Sequence, residues 1–287
     1  MTQFLNPLSR QVIHLARALI LLGLVILGAP PASQAAERSK VEAFLQVTGF
    51  DVALDSIALS ASNAPMMLGL SASDFGSEWT RLSQSVFDQD KMRELALDIL
   101  EETLEDDTLS HAAAFYASDL GQRLVTAENA SHLVAEDDTK QVAGERIISD
   151  LVQSGSPRIA LYHRMGQAID AAGAGLKSVQ QIQFRFLMAA SAAGIIELQL
   201  DADGLRALQR AQEPEMRIAL RAASLATSAY TYQDFSDAEI EAYVEALETP
   251  LMQQVYELLN AVQFEITADR FEALAYRMQD LEQGEDI

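Results

Sequence analysis

The stretch 107–129, DTLSHAAAFYASDLGQRLVTAEN, decides how the fold is read. Asp106, Asp107 or Thr108 is expected to cap a helix that runs through His111 to Ala117. Ser118 then interrupts, and Asp119 follows it. A serine hydroxyl accepts from the unpaired N–H groups of a helix start, and an acid in the first turn sits well against the helix dipole. The pattern therefore predicts a helix, a tight corner and a second helix, with Leu120, Leu124 and Ala127 facing inward. Phe115 and Tyr116 stand just before the corner, where two helices meet, and are read as packing anchors. Gly121 leaves room for a neighbouring backbone.

The same grammar returns later in the chain. Shifted by 131 residues, Leu104 falls on Phe235, Leu109 on Ile240, Tyr116 on Leu247, Ser118 on Thr249 and Leu124 on Val255. Asp106, Leu120, Gln122 and Asn129 fall on the identical residues Asp237, Leu251, Gln253 and Asn260. Thr249-Pro250 supplies a cap followed by proline at the first helical position, and Ser236 with Glu239 makes a capping box. The expectation is a duplicated helix–corner–helix unit whose halves pack about a pseudo-twofold relation in one core. The second copy drops the histidine, the aromatic pair and the glycine. Both copies keep what a corner needs. Phe115, Tyr116, Ser118, Gly121, Gln122, Thr249 and Pro250 are therefore read as a structural corner, with no catalytic role assigned.

Upstream, residues 36–64 read as two short helices broken near Thr48-Gly49, with a turn at Asn63-Ala64-Pro65. A loop follows, then a helix capped by Ser73 that continues past Trp79 to Phe87. Residues 90–104 repeat Met92, Leu95, Ala96, Ile99 and Leu100 at helical spacing, with Asp90 as cap. Glu94, Asp98, Glu101, Glu102 and Glu105 are read as its solvated face. Downstream, Ser154-Gly155-Ser156-Pro157 is the best internal boundary, with Ser156 capping and Pro157 opening the next helix. Residues 179–200 are apolar on nearly all sides, which predicts a central buried helix continuing through IIELQL. Asp203 is read as a cap, and Pro214 as the start of a further helix. The tail from Gln279 is expected to fray.

Composition bounds the function. The chain has 287 residues, 49% of them hydrophobic, and a formal net charge of −22 from 42 acids against 20 Lys and Arg. Such a charge argues against nucleic acid and against anionic lipid as partners. No cysteine exists, so disulfides, thiol chemistry and a lipoprotein anchor are all excluded. Residues 1–35 have the three-part form of a signal peptide. Arg10, His14 and Arg17 are basic, ALILLGLVIL spans 18–27, and Ser33 and Ala35 are small residues suited to a cleavage site. That apolar run is shorter than the roughly 20 residues of a membrane span. An exported periplasmic protein with no stable membrane span after cleavage is expected.

No catalytic or cofactor motif emerges. His111, His132 and His163 share no tight metal-ligand spacing, and neither a nucleophile elbow, a phosphate loop nor a dinucleotide fingerprint occurs. Asp201, Asp203 and Gly204 open like a calcium loop, but Leu205 and Gln212 stand where ligands belong. Met66, Met67, Phe184, Phe186 and Met188 suit either core packing or an apolar cavity. No catalytic, cofactor-binding or metal residue is assigned.

At FYASDLGQRLVTAEN the chain resembles the bacterial family called domain of unknown function 2059. That family shows an aromatic pair, a serine, often a proline, then Gly and Gln, here Phe115, Tyr116, Ser118, Gly121 and Gln122. This chain has Asp119 where proline is common. The resemblance runs over about residues 38–130 and more weakly over 151–282. It implies a helical, exported protein and transfers no catalytic residue.

The sequence thus predicts an all-α multi-helix bundle with two related helix–corner–helix halves. Its parts are a signal peptide at 1–35, one half at 36–153, and a second at 154–287 packed with the first as one unit. The expected role is non-enzymatic: an envelope interaction or accessory protein, with homo-oligomers allowed. The alternative is a carrier of a small apolar or lipid-like ligand held between the halves.

Overall fold

The computed structural model describes residues 36–61, 64–71, 76–134 and 137–281. The expected signal peptide, Asn63 of the expected turn, the cap at Ser73 and the end of the acidic tail lie outside them. Every regular element described is helical, in keeping with abundant Ala and Leu and few Gly and Pro. In order these are α1 (Arg38–Thr48), α2 (Phe50–Ser60), the single turn α3 (Ala64–Met67), α4 (Gly76–Val86), α5 (Gln89–Thr103), α6 (Asp106–Tyr116), α7 (Asp119–His132) and α8 (Asp137–Ser154). Then come α9 (Arg158–Ile169), α10 (Gly175–Ala192), α11 (Ala202–Thr231), α12 (Asp237–Leu247), α13 (Pro250–Arg277) and a 3₁₀ turn at Met278–Asp280. The described residues form one compact unit.

Both corners are built as their hydroxyls predict. Ser118 is extended, with ψ of 162°, and its Oγ accepts from Gly121 N at 3.1 Å while donating to Phe115 O at 2.6 Å. One side chain thus ties the end of α6 to the start of α7. Thr249 Oγ1 donates to Ala246 O at 2.8 Å and accepts from Met252 N at 3.4 Å, with Pro250 opening α13. Ser236 and Glu239 form the capping box at the head of α12.

Other helix starts are displaced from their expected positions. Asp88, not Asp90, caps α5, because Asp88 is the extended residue and its Oδ1 takes Lys91 N at 3.0 Å. Glu105 precedes α6 without a side-chain cap, so Asp106 and Asp107 act as first-turn acids and Thr108 is buried. Ser156 Oγ accepts from Arg158 N at 3.3 Å, but α9 opens at Arg158, one residue past Pro157. Asp201, not Asp203, caps α11 by accepting from Gly204 N at 2.8 Å. Pro214 lies inside α11 rather than at its start. Its surroundings on the helix are largely exposed, so water can serve the carbonyl that proline leaves without a donor.

The expected long central helix at 179–200 is corrected in two ways. α10 ends at Ala192, and Gly194 at φ 74° turns the chain. Residues 195–200 are neither helix nor strand; Ile195 and Ile196 pack singly on the core while Glu197, Gln199 and Leu200 face out. The central position belongs to α13, which packs on α4, α5, α6, α9 and α10. It buries Met252, Val255, Leu259, Val262, Ile266, Phe271 and Leu274.

Around α13, α1 packs on α5 and α6, α2 on α5 and α7, α9 on α11 and α12, and α10 on α11. α8 pairs mainly with α11, where Gly144 lets the Ala226 backbone come close. The acid face of α5 is less free than expected. Glu94, Asp98 and Glu101 converge on Arg38 of α1, at 2.5, 2.8 and 3.2 Å. Among the described residues no single helix is long and apolar enough to cross a membrane.

Candidate functional site

The corner motif leads into a cavity. Gln122 Nε2 donates to Tyr116 O at 2.7 Å, fixing the last residue of α6 against the first turn of α7. Tyr116 is 2% exposed, and its side chain points to the centre of the molecule. There its hydroxyl lies 3.1 Å from that of Tyr243 on α12 and within hydrogen-bond reach of that of Tyr256 on α13. Tyr243 and Tyr256 hydroxyls are themselves 3.1 Å apart. Three phenols from three helices therefore form a closed triangle.

One carboxylate completes the cluster. Glu128 of α7 accepts at Oε1 from Tyr243 at 2.9 Å and from Tyr232, at the end of α11, at 2.6 Å. The rings interlock around it. Phe115 stacks on Tyr243 with centroids 5.7 Å apart, and Tyr116 and Tyr232 each meet Tyr243 edge-on. Burial pushes the Glu128 carboxyl above its usual range, while the two tyrosine hydrogen bonds pull it back. Burial likewise holds the Tyr116, Tyr232 and Tyr243 phenols well above theirs. These phenols stay protonated at any ordinary pH, so they act as hydrogen-bond donors.

The cluster forms one wall of a cavity of about 430 Å³. The remaining wall comes from the α1–α2 break at Thr48 and Gly49, from Asn129 and His132 of α7, from Met165 and Ile169 of α9, from Thr227 of α11, and from Asn260 and Gln263 of α13. Asn260 Nδ2 donates to Ile169 O at the end of α9, at 2.9 Å. Asn129 sits against Gly49 just past the end of α1, so close that a Cβ there would meet its Oδ1 at 2.4 Å. A second cavity of about 690 Å³ adjoins, sharing Ile169, Asn260 and Gln263. Its lining is mostly apolar or small, including Ile57, Ala171, Val179, Ile182, Ala261 and Phe264.

Of the corner residues read from the sequence, Tyr116 alone reaches the cavity; Ser118, Gly121, Gln122, Thr249 and Pro250 hold the corners, and Phe115 packs behind Tyr243. His111 Nε2 is 3.1 Å from Thr249 Oγ1, which joins the two corners directly. His132 lines the cavity, and His163 lies elsewhere. Sequence pattern did not mark Glu128, Tyr232, Tyr243 or Tyr256 as site residues. A signal for Glu128 existed, since it falls four residues after Leu124 on the inward face of α7, where a charged residue is out of pattern.

Residues 90–150 match the family model DUF2059, described as an uncharacterized protein conserved in bacteria. The DUF2059 match takes in α6, α7 and most of α5 and α8, and contains the corner at Ser118. It includes Tyr116 and Glu128 but not Tyr232, Tyr243 or Tyr256. No curated protein and no solved structure matches the chain.

Proposed function

We propose that this chain is an exported, non-enzymatic carrier that holds a small, largely apolar ligand between two related halves. The observation that carries the reading is the cavity of about 430 Å³ at the meeting point of α7 and α13. A ligand site of this kind is mainly apolar with a few convergent polar groups, and the Tyr–Glu cluster supplies those groups.

Duplication accounts for the cavity's place. α6 and α12 have eleven residues each, and each ends two residues before a capping hydroxyl, Ser118 or Thr249. Asp106, first in α6, pairs with Lys40 of α1, and Asp237, first in α12, pairs with Arg158 of α9. Leu104 O accepts from Ala36 N just before α1, while Phe235 O accepts from Arg158 at the start of α9. The packing of α1, α2, α5, α6 and α7 on one another has a counterpart in that of α9, α10, α11, α12 and α13. Under the same 131-residue shift, Asn129 matches Asn260, Glu128 matches Leu259 and His132 matches Gln263, and all six line the cavity. At the cavity the two copies differ in side chain, Glu128 standing where the second copy has Leu259 and His132 where it has Gln263.

Native mass spectrometry of protein released gently from the periplasm tests this reading. A small molecule retained at one per chain is expected. A bare chain from every preparation overturns it. A second reading, an envelope interaction protein, is favoured by exposed apolar side chains on the α8–α11 pair: Val142 and Val152 on α8, Leu208 and Ile218 on α11. A stoichiometric protein partner in the same spectra would support that one instead.

A further inference from the structure

Glu128 is a carboxylate at a cavity wall, with no ion-pair partner among the described residues. Its Oε1 takes both tyrosine donors, and among the described residues Oε2 has no hydrogen-bond partner. The proton count of the cluster is informative. Tyr232 and Tyr243 spend their hydroxyl hydrogens on Glu128. The hydrogens of Tyr116 and Tyr256 then serve two of the three contacts of the phenol triangle. Every phenol hydrogen is used, so Oε1 accepts from two donors and Oε2 is left for a group in the cavity.

Glu128 is half-buried, and a carboxylate withdrawn from water is normally paired with a cation. Here the influences on Glu128 are burial and the two tyrosines, with no Lys, Arg or His among them. Lys140 is also on the cavity wall, but its Nζ donates to the Ser131 carbonyl at 3.3 Å. The tyrosine rings around Glu128 favour a weakly hydrated cation over a strongly hydrated one. The chain's net charge of −22 draws cations toward it. The adjoining cavity, which shares Asn260 and Gln263 with the first, offers an apolar or small-residue lining for whatever the cation carries.

We propose that the cavity takes an organic ammonium ion, its charged head against Glu128 and its apolar body lying toward the second cavity. This rests on the reading of the cavity as a ligand site and names the ligand's polar end. The class is an alkylated amine or quaternary ammonium with a hydrocarbon part. Fatty acids are excluded from it, because a carboxylate head would meet Glu128 with like charge.

Isothermal titration of the whole mature chain with decyltrimethylammonium, decanol and decanoate, each below its aggregation concentration, tests the proposal. The ammonium compound is expected to bind tighter than decanol by about ten-fold or more, the worth of one screened charge–charge contact, and decanoate weakest of all. Glu128→Gln is expected to erase the preference for the ammonium compound over decanol. If decanol or decanoate binds as tightly as the ammonium compound, the ammonium proposal is overturned and the ligand-site reading stands. A preference that survives Glu128→Gln overturns it equally. If none of the three saturates, the ligand-site reading falls with it. The comparison of head groups in the unaltered chain decides the matter even where the variant folds poorly.

Discussion

Gly121→Ala puts the corner itself on trial. In an open helix this exchange stabilises by about 0.5–1 kcal/mol, because alanine loses less backbone freedom on folding. The surroundings of Gly121 reverse the sign. A Cβ there would lie 2.3 Å from Phe115 O, 2.6 Å from Tyr116 Cα and 2.8 Å from Tyr116 O. All three are backbone atoms, so no rotamer change relieves the clash. Relief requires opening the corner between α6 and α7. That overpacking costs about 1–3 kcal/mol and occasionally more. Opening also strains the Ser118–Gly121 and Gln122–Tyr116 hydrogen bonds, each worth about 0.5–1.5 kcal/mol. A net loss of roughly 2–4 kcal/mol results, which at about 2–4 °C per kcal/mol for a domain of this size lowers Tm by about 4–16 °C. Gly166→Ala is the matched control. It too is helical, but its Cβ would meet only Ser224 Oγ, at 3.7 Å. That variant should equal or exceed the parent by up to about 1 kcal/mol. Thermal and urea unfolding followed by circular dichroism reads both. A Gly121→Ala protein as stable as Gly166→Ala would refute the close-packed corner.

Three other outcomes are expected. Ser118→Ala should destabilise by about 1 kcal/mol through the lost cap; an unchanged urea midpoint would show that the bonds to Gly121 N and Phe115 O add nothing. Because burial raises the Glu128 carboxyl in the folded chain, the native state keeps a proton that the unfolded chain has released, so stability is lost as pH rises through that raised range. Glu128→Gln should remove this part of the slope and be no less stable than the parent at neutral pH without ligand; a parallel pair of stability–pH curves would contradict it. N-terminal sequencing of protein from the periplasm should begin at Ala35 or Ala36, and an intact Met1 would overturn the export argument.

Much of the backbone was legible because it is governed by local chemistry. The hydroxyls of Ser118, Ser236 and Thr249 marked helix starts that the structure places at the expected residues. Spacing alone assigned the inward face of α5. Two of the misplaced starts share one cause, a choice between neighbouring acids. Asp88 against Asp90, and Asp201 against Asp203, are equivalent in type, and the extended residue does the capping. The central helix was harder to place, because apolar content marked 179–200 while tertiary contacts chose α13. The cluster around Glu128 was the least legible. Its five side chains come from α6, α7, α12, α13 and the end of α11, spread over positions 116–256. No local motif joins them. Tyr243 shares the helical spacing of Ile240, Val244 and Leu247, and only the assembled bundle turns its hydroxyl toward a carboxylate.

The most direct measurement is a crystal structure of the chain purified from its native compartment without unfolding or detergent. The account expects non-water density in the cavity between Glu128 and Gln263, with an atom of the occupant within hydrogen-bond or ion-pair distance of Glu128 Oε2. A cavity collapsed onto its own side chains, or filled by ordered water alone in undenatured protein, would contradict it.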